Sequence, residues 1–206
     1  YHSAALTSNN RLFMWGSNSY GQSAVSVFDT TSISLPRDVT AQFNLYPTEE
    51  FMEVALGDRH SIVTTNHGRI FTFGYNQYGQ LGLGQAQDMV YSTPVEITLS
   101  FNLDPLKFEY VKHINAHGDS SIAVTSENRV FVWGKNSWGT LGTGEGVSFY
   151  PGLHEITNLF DFIEGEEVIT AKIERYGVGV LITTFNRVFV WGSNSSGELG
   201  IGIDGD

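Results

Sequence analysis

Cysteine is missing altogether from the 206 residues. Its absence excludes disulfide cross-links, thiolate nucleophiles and cysteine-ligated metal sites, and is compatible with a reducing compartment. No stretch approaches the roughly 18 apolar residues that a bilayer-spanning helix needs. No basic segment followed by an apolar one marks the first residues as a signal peptide. Cations are scarce: 11 Lys and Arg stand against 22 Asp and Glu, for a formal net charge of −11. A surface of that sign repels nucleic-acid phosphates and anionic lipid and attracts basic partners, besides keeping the chain soluble. The expected setting is intracellular, in cytoplasm, cytoskeleton or nucleus.

Glycine and aromatic residues are plentiful, with 23 glycines and 13% Phe, Trp and Tyr, which fits tightly turned β structure. One pattern dominates. It reads Arg11-Leu-Phe-Met-Trp-Gly-Ser-Asn-Ser-Tyr-Gly21 and returns from Arg69 to Gly79, from Arg129 to Gly139 and from Arg187 to Gly197. Its first glycines, Gly16, Gly74, Gly134 and Gly192, are 58, 60 and 58 residues apart. A fixed period of this size signals an array of similar structural units.

Each unit predicts an antiparallel hairpin. Its two strands are joined at Asn9-Asn10, His67-Gly68, Glu127-Asn128 and Phe185-Asn186. Asn or Gly in the second place suits the positive φ of a two-residue type I′ turn. Along the second strand Phe13, Phe71, Phe131 and Phe189 alternate with Leu12 and Met14, Ile70 and Thr72, Val130 and Val132, and Val188 and Val190. Both faces are largely apolar, so these sheets must be covered on both sides. A further strand is expected before each hairpin, at 51–56, 110–115 and 168–173. A short strand is expected after each of Pro36, Pro94 and Pro151. About four strands per unit, repeated around an axis, make a β-propeller.

The units are assigned to 1–46, 47–105, 106–163 and 164–206, the middle two complete and the outer two truncated. The chain starts within a unit and without methionine, so an upstream segment is expected. Covering blades are expected from the same polypeptide, a second copy or another chain; a closed four-bladed ring is the alternative.

The residues His60-Ser61, the Asx/Gly hairpin link, Phe73-Gly74-x-Asn76-x-x-Gly79-Gln80-Leu81-Gly82-Leu83-Gly84 and Pro94 resemble the regulator of chromosome condensation repeat. The resemblance spans essentially the whole chain. It implies a seven-bladed propeller and leaves function open, since members include exchange factors for the small GTPase Ran, photoreceptors, ubiquitin-ligase modules, ciliary scaffolds and bacterial inhibitors. The pattern departs at one loop. The family's histidine is His2 and His60 here, but Ser120 and Val178 in the later units, and its glycine is Gly57, then His117, then Arg175.

Catalytic and ligand-binding signatures are thin. The six histidines include His113 and His117, four apart across a strand end and a loop, and none has zinc-site spacing. Leu81-Gly-Leu-Gly84 lacks the strand, helix and partner of a dinucleotide site. Ser120 and Ser121 beside Asp119 lack a nucleophile elbow. No catalytic residue, cofactor or metal is therefore expected. Two acidic clusters stand out: Glu49, Glu50 and Glu53, and then Asp161, Glu164, Glu166 and Glu167. Both fall in connections between blades, where propeller function resides, and read either as a dock for a basic partner or as solvated charge. Tyr78 and Trp138, beside the Asn-x-x-Gly turns, read as interface anchors or as turn packing. The expected function is a non-enzymatic protein-interaction module. An exchange factor for a Ran-like GTPase is the alternative, and a chromatin-associated regulator the second alternative.

Overall fold

The computed structural model describes residues 1–28, 31–144 and 146–202, so the last four residues of the fourth unit lie outside the described residues. Four antiparallel sheets follow one another. Blade I holds β1 (His2–Leu6), β2 (Leu12–Ser17) and β3 (Ser32–Asp38). Blade II holds β4 (Phe51–Leu56), β5 (His60–Thr65), β6 (Ile70–Tyr75) and β7 (Val90–Glu96). Blade III repeats this with β8 (Val111–His117), β9 (Ser120–Thr125), β10 (Val130–Lys135) and β11 (Phe149–Glu155). Blade IV has β12 (Val168–Ile173), β13 (Val178–Thr183) and β14 (Val188–Gly192). Strands β4, β8 and β12 neighbour one another along the inside of the array. The fold is a segment of a β-propeller, with two four-stranded blades between two three-stranded ones.

The alternation along the motif strands decides how blades stack. Leu12 and Met14 of blade I pack against Phe71 and Phe73 of blade II. Ile62 and Ile70 pack against Phe131 and Trp133 of blade III, and Val130 and Val132 against Phe189 and Trp191 of blade IV. Thus the aromatic face meets the preceding blade and the aliphatic face the following one. At blade IV the aliphatic face meets nothing described, and Val188 is 59% exposed. A 3₁₀ turn after each outer strand adds a plug the sequence did not advertise. It drives Phe43, Phe101 and Phe160 edge-on to Phe71, Phe131 and Phe189, at 5.4, 5.2 and 5.3 Å. Edge-to-face pairs add about 0.5–1.5 kcal/mol beyond their buried area.

Two local expectations need correction. The hairpins turn over three residues, because Gly68 N–H donates to Thr65 O while Thr65 N–H donates to Arg69 O, and the other three repeat this. Only the third residue takes positive φ, as at Asn10, Gly68, Asn128 and Asn186. This is a type I turn closed by a left-handed bulge residue. It spares Glu127 and Phe185 the left-handed conformation that a type I′ turn would impose. Likewise Pro36, Pro94 and Pro151 lie inside β3, β7 and β11, where each ladder shifts register. A bulge interrupts the ladder, so the missing N–H goes unneeded.

Polar bonds tie the blades at their buried ends. His2 Nε2 meets Ser61 Oγ at 2.7 Å, and His60 Nε2 meets Ser121 Oγ at 2.8 Å. Both serine hydroxyls donate onward, to Gln22 O and Gln80 O, so the imidazoles are the donors and carry their proton on Nε2. Nδ1 of each is buried without a partner. The His60 ring lies over Gly57, whose added Cβ would stand 2.3 Å from Cε1. That explains the paired departure: where histidine gives way to Ser120 and Val178, glycine gives way to His117 and Arg175. His113 and His117 both lie within β8, so His117 ends a strand where a loop was expected.

Burial, reinforced by the Arg59 charge, lowers His60 to about 3, and burial chiefly lowers His2 to about 4. Both values lie below the unfolded 6.5, so acid loads protons onto the unfolded chain first. Stability is full above pH 6.5 and falls below it by about 1.4 kcal/mol per pH unit for each histidine. Urea midpoints from pH 7.5 to 5.5 measure this slope. Replacing both histidines with serine is expected to flatten it; an unchanged slope would contradict the assignment.

Candidate functional site

The strand order creates two rims. One gathers the β1–β2, β5–β6, β9–β10 and β13–β14 turns with the connections leading from outer strand to next blade; we call it the hairpin rim. The other gathers the turns out of the inner strands and the Asn-x-x-Gly loops; we call it the loop rim. The candidate acids all belong to the hairpin side and Tyr78 and Trp138 to the loop side, so the structure separates them.

On the hairpin rim the motif arginine builds the same node in three blades. Arg69 meets Glu49 at 3.0 Å and Glu96 at 3.0 Å. Arg129 meets Glu109 at 3.2 Å and Glu155 at 2.9 Å, and Arg187 meets Glu166 at 2.7 Å. Each buried glutamate also accepts from a strand threonine, Thr65, Thr125 or Thr183. The guanidiniums lie over Phe71, Phe131 and Phe189 and donate to the backbone oxygens of Asn44, Asn102 and Asp161. Burial pushes Glu49 up, but the Thr65 hydroxyl, the Tyr46 N–H and Arg69 together hold it below the usual carboxylate range. Glu166 is held low in the same way by the Ile163 N–H, Thr183 and Arg187 against the cost of burial.

Glu49 and Glu166 therefore face inward and are framework groups. Glu53 is half-buried on β4, where it accepts from Ile114 N–H of blade III at 2.9 Å, and burial raises its carboxyl. Asp161 takes the left-handed position that Asn44 and Asn102 hold in earlier blades, with its side chain exposed. Glu50, Glu164 and Glu167 are exposed. None of Glu50, Asp161, Glu164 and Glu167 makes an ion pair among the described residues, whereas Arg11, Arg69, Lys107, Arg129 and Arg187 on this side are all paired. Glu109, the third buried glutamate, escaped the sequence reading. Its distance of 20 residues from Arg129 matches that of Glu49 from Arg69, and that echo was the available signal.

On the loop rim Trp138 is 67% exposed, in a left-handed backbone conformation, beside exposed Tyr176. Tyr78 is half-buried under the Lys135 ammonium, 4.9 Å from the ring centroid. Arg175 covers Tyr176 at 5.1 Å. A cavity of about 420 Å³ between blades III and IV lies between these groups and the Arg59–Asp119 ion pair, 2.6 Å long. Two of the other three tryptophans differ: Trp133 and Trp191 donate to Gln80 O and Thr140 O of the preceding blade.

Chemical alternatives find no footing. Asn76 and Asn136 accept from Leu81 and Leu141 N–H, so the glycine-rich segments are framework turns. Ser121 bonds His60, but this histidine is wholly buried and lacks a carboxylate at Nδ1. Among the described residues no three His, Asp or Glu side chains converge as metal ligands, and no helix is long and apolar enough to cross a membrane.

A profile of the regulator of chromosome condensation (RCC1) repeat matches residues 67–124, and a second profile of that repeat matches 1–22 and 53–80. Over residues 1–22 and 53–124 the chain consists of RCC1 repeats. It is 28% identical over 201 residues to the ultraviolet-B receptor UVR8 of Arabidopsis thaliana, covering 98% of this chain and 41% of the receptor. It is 36% identical over 141 residues to the human X-linked retinitis pigmentosa GTPase regulator, covering 68% of this chain and 12% of the regulator. Prp20p of Saccharomyces cerevisiae, whose structure was described with its binding to Gsp1p and histones, superposes with a TM-score of 0.75 at 17% identity, over 97% of this chain and 45% of that one. Human WBSCR16 gives 0.72 at 24% identity, over 94% and 45%. The chain thus spans less than half the length of each of these proteins.

The three nodes carry a stability prediction. Arg129→Met leaves Glu109 buried without its nearest cation and is expected to cost about 3 kcal/mol. Adding Glu109→Gln, which keeps the Thr125 bond, should recover more than half. Urea midpoints of the four chains close the cycle; strictly additive losses would contradict a coupled node.

Proposed function

We propose that this chain is a non-enzymatic protein-docking segment of a propeller and that its hairpin rim holds a basic partner. The observation that carries this reading is the division of charge. Five of the rim's cations are ion-paired, three of them arginines held by buried glutamates, while Glu50, Asp161, Glu164 and Glu167 stand without ion pairs among the described residues. Uncompensated charge of one sign steers oppositely charged partners and sets their register. The repeated polar side chains are occupied with the framework, which leaves little for covalent chemistry. Further blades, from the same polypeptide or another copy, would cover the aliphatic face that carries Val188 and Val190. Trp138 and Tyr78 offer aromatic anchors on the opposite rim.

The second reading is nucleotide exchange on a Ran-like small GTPase, favoured by the similarity to a protein named as a GTPase regulator and to one described with Gsp1p. Exchange would then follow from tighter binding of the nucleotide-free GTPase. A chromatin role would run through basic protein, since the net charge of −11 opposes DNA. An intracellular setting suits all three.

A labelled lysine-rich peptide and a labelled-nucleotide Ran-type GTPase test these readings side by side. Glu50→Gln, Glu164→Gln and Glu167→Gln together are expected to weaken peptide binding about tenfold at low salt and flatten its salt dependence. The urea midpoint should hold, because these groups are exposed and unpaired. Binding indifferent to salt and to the triple variant would overturn the basic-partner reading. Accelerated nucleotide release would establish exchange, and none would remove it.

A further inference from the structure

The hairpin rim contains a clasp that one blade lacks. Asn10, at the left-handed position of the blade I hairpin, donates from Nδ2 to Glu49 O and accepts at Oδ1 from Phe51 N–H, both at 2.8 Å. Asn128 does the same one interface later, with Glu166 O at 3.0 Å and Val168 N–H at 2.9 Å. Each carboxamide thus spans the start of the next blade's inner strand. Between blades II and III the residue in this place is Gly68, with φ +75° and nothing within 4 Å of an added Cβ. The strand edge it faces is built like the other two. Val111 pairs with Thr125 ahead of a register shift, as Phe51 pairs with Thr65 and Val168 with Thr183. At this interface a cavity of about 510 Å³ opens, bounded by Gly68, Asn66, Tyr110 and Val111, with Glu53 and Lys112 alongside.

We propose that this notch receives the side-chain carboxamide of an Asn or Gln from a protein partner, which takes the place the chain's own asparagine holds at the neighbouring interfaces. The geometry selects the ligand. Bridging Glu109 O and Val111 N–H requires an acceptor and a donor on one side of a planar group. A primary amide has both on one side; a trans peptide group has its N–H and C=O opposed, and a carboxylate has no donor. The Glu53 carboxylate at the wall is already engaged by Ile114 N–H, and the Lys112 ammonium is turned to Asn128 Oδ1 at 3.4 Å, so a neutral group meets no competing ion pair in the notch. Half-exposed Tyr110 and exposed Met52 offer apolar ground for flanking residues. The notch joins the acidic rim, because Asn66 Oδ1 accepts from Glu50 N–H at 2.8 Å. That the donor is a protein rests on the docking role proposed above.

The probe is the blocked, uncharged tripeptide acetyl-Gly-Asn-Gly-N-methylamide, with Asp and Leu analogues, titrated into the ¹⁵N-labelled chain. The Asn peptide is expected to shift the Val111 amide saturably, the analogues not, and Gly68→Asn should abolish the shift. The same variant should slow Val111 amide exchange roughly fivefold or more, because the carboxamide is then supplied in cis. Absence of a saturable shift, equal shifts from all three peptides, persistence of the shift in Gly68→Asn, or no added protection there would overturn the proposal. The peptide carries no cation, so its failure leaves the salt-dependent binding of a basic partner untouched, and the reverse.

Discussion

A sheet apolar on both faces has to be covered twice, and this requirement governs the molecule. Phe131 and Trp133 cannot stay dry unless blade II lies against them, and Val130 and Val132 cannot unless blade IV does. Stacking brings polar edges along, and each needs a partner across the interface. Trp133 and Trp191 find carbonyls of the preceding blade, His2 and His60 find serines of the following one, and Asn10 and Asn128 clasp the next inner strand. The recurring side chains are therefore consumed by the array. What remains for partners lies on the rims, where the repeats differ.

Charge is distributed by the same logic. The motif arginine is anchored by a buried glutamate, a backbone oxygen and the face of the phenylalanine two residues on. Holding the cation there withdraws it from the surface. A chain with twice as many acids as bases then shows its excess where no arginine is left to answer it. Acidity at Glu50, Glu164 and Glu167 is thus a consequence of how the blades are held together.

Much of this was legible in the chain. The period of 58 to 60 residues, the doubly apolar strands and the hairpins implied stacked four-stranded sheets, which the structure shows. Adjacent acids were harder. Glu49 and Glu50 look alike in sequence, yet strand register and the Thr65 and Arg69 partners send one inward and leave the other in water. Spacing from the motif arginine separates them, and would have exposed Glu109 as well. The hairpin turns were misjudged by one residue, since Asn or Gly after any residue satisfies both turn types and only the ladder tells them apart. The departures from histidine and from glycine at one loop read in sequence as two separate changes; the imidazole lying over Gly57 makes them a single steric unit. The unequal clasp at Gly68 could not be recognised until the roles of Asn10 and Asn128 were known, because Gly and Asn both suit the left-handed turn.

The central claim is that each blade is protected by its neighbours, and residue-resolved hydrogen exchange on this chain tests it most directly. Ladder amides of β10, covered on both faces, should exchange at least about a hundredfold more slowly than those of β14, whose aliphatic face is open. Equal protection in β10 and β14 would contradict the account.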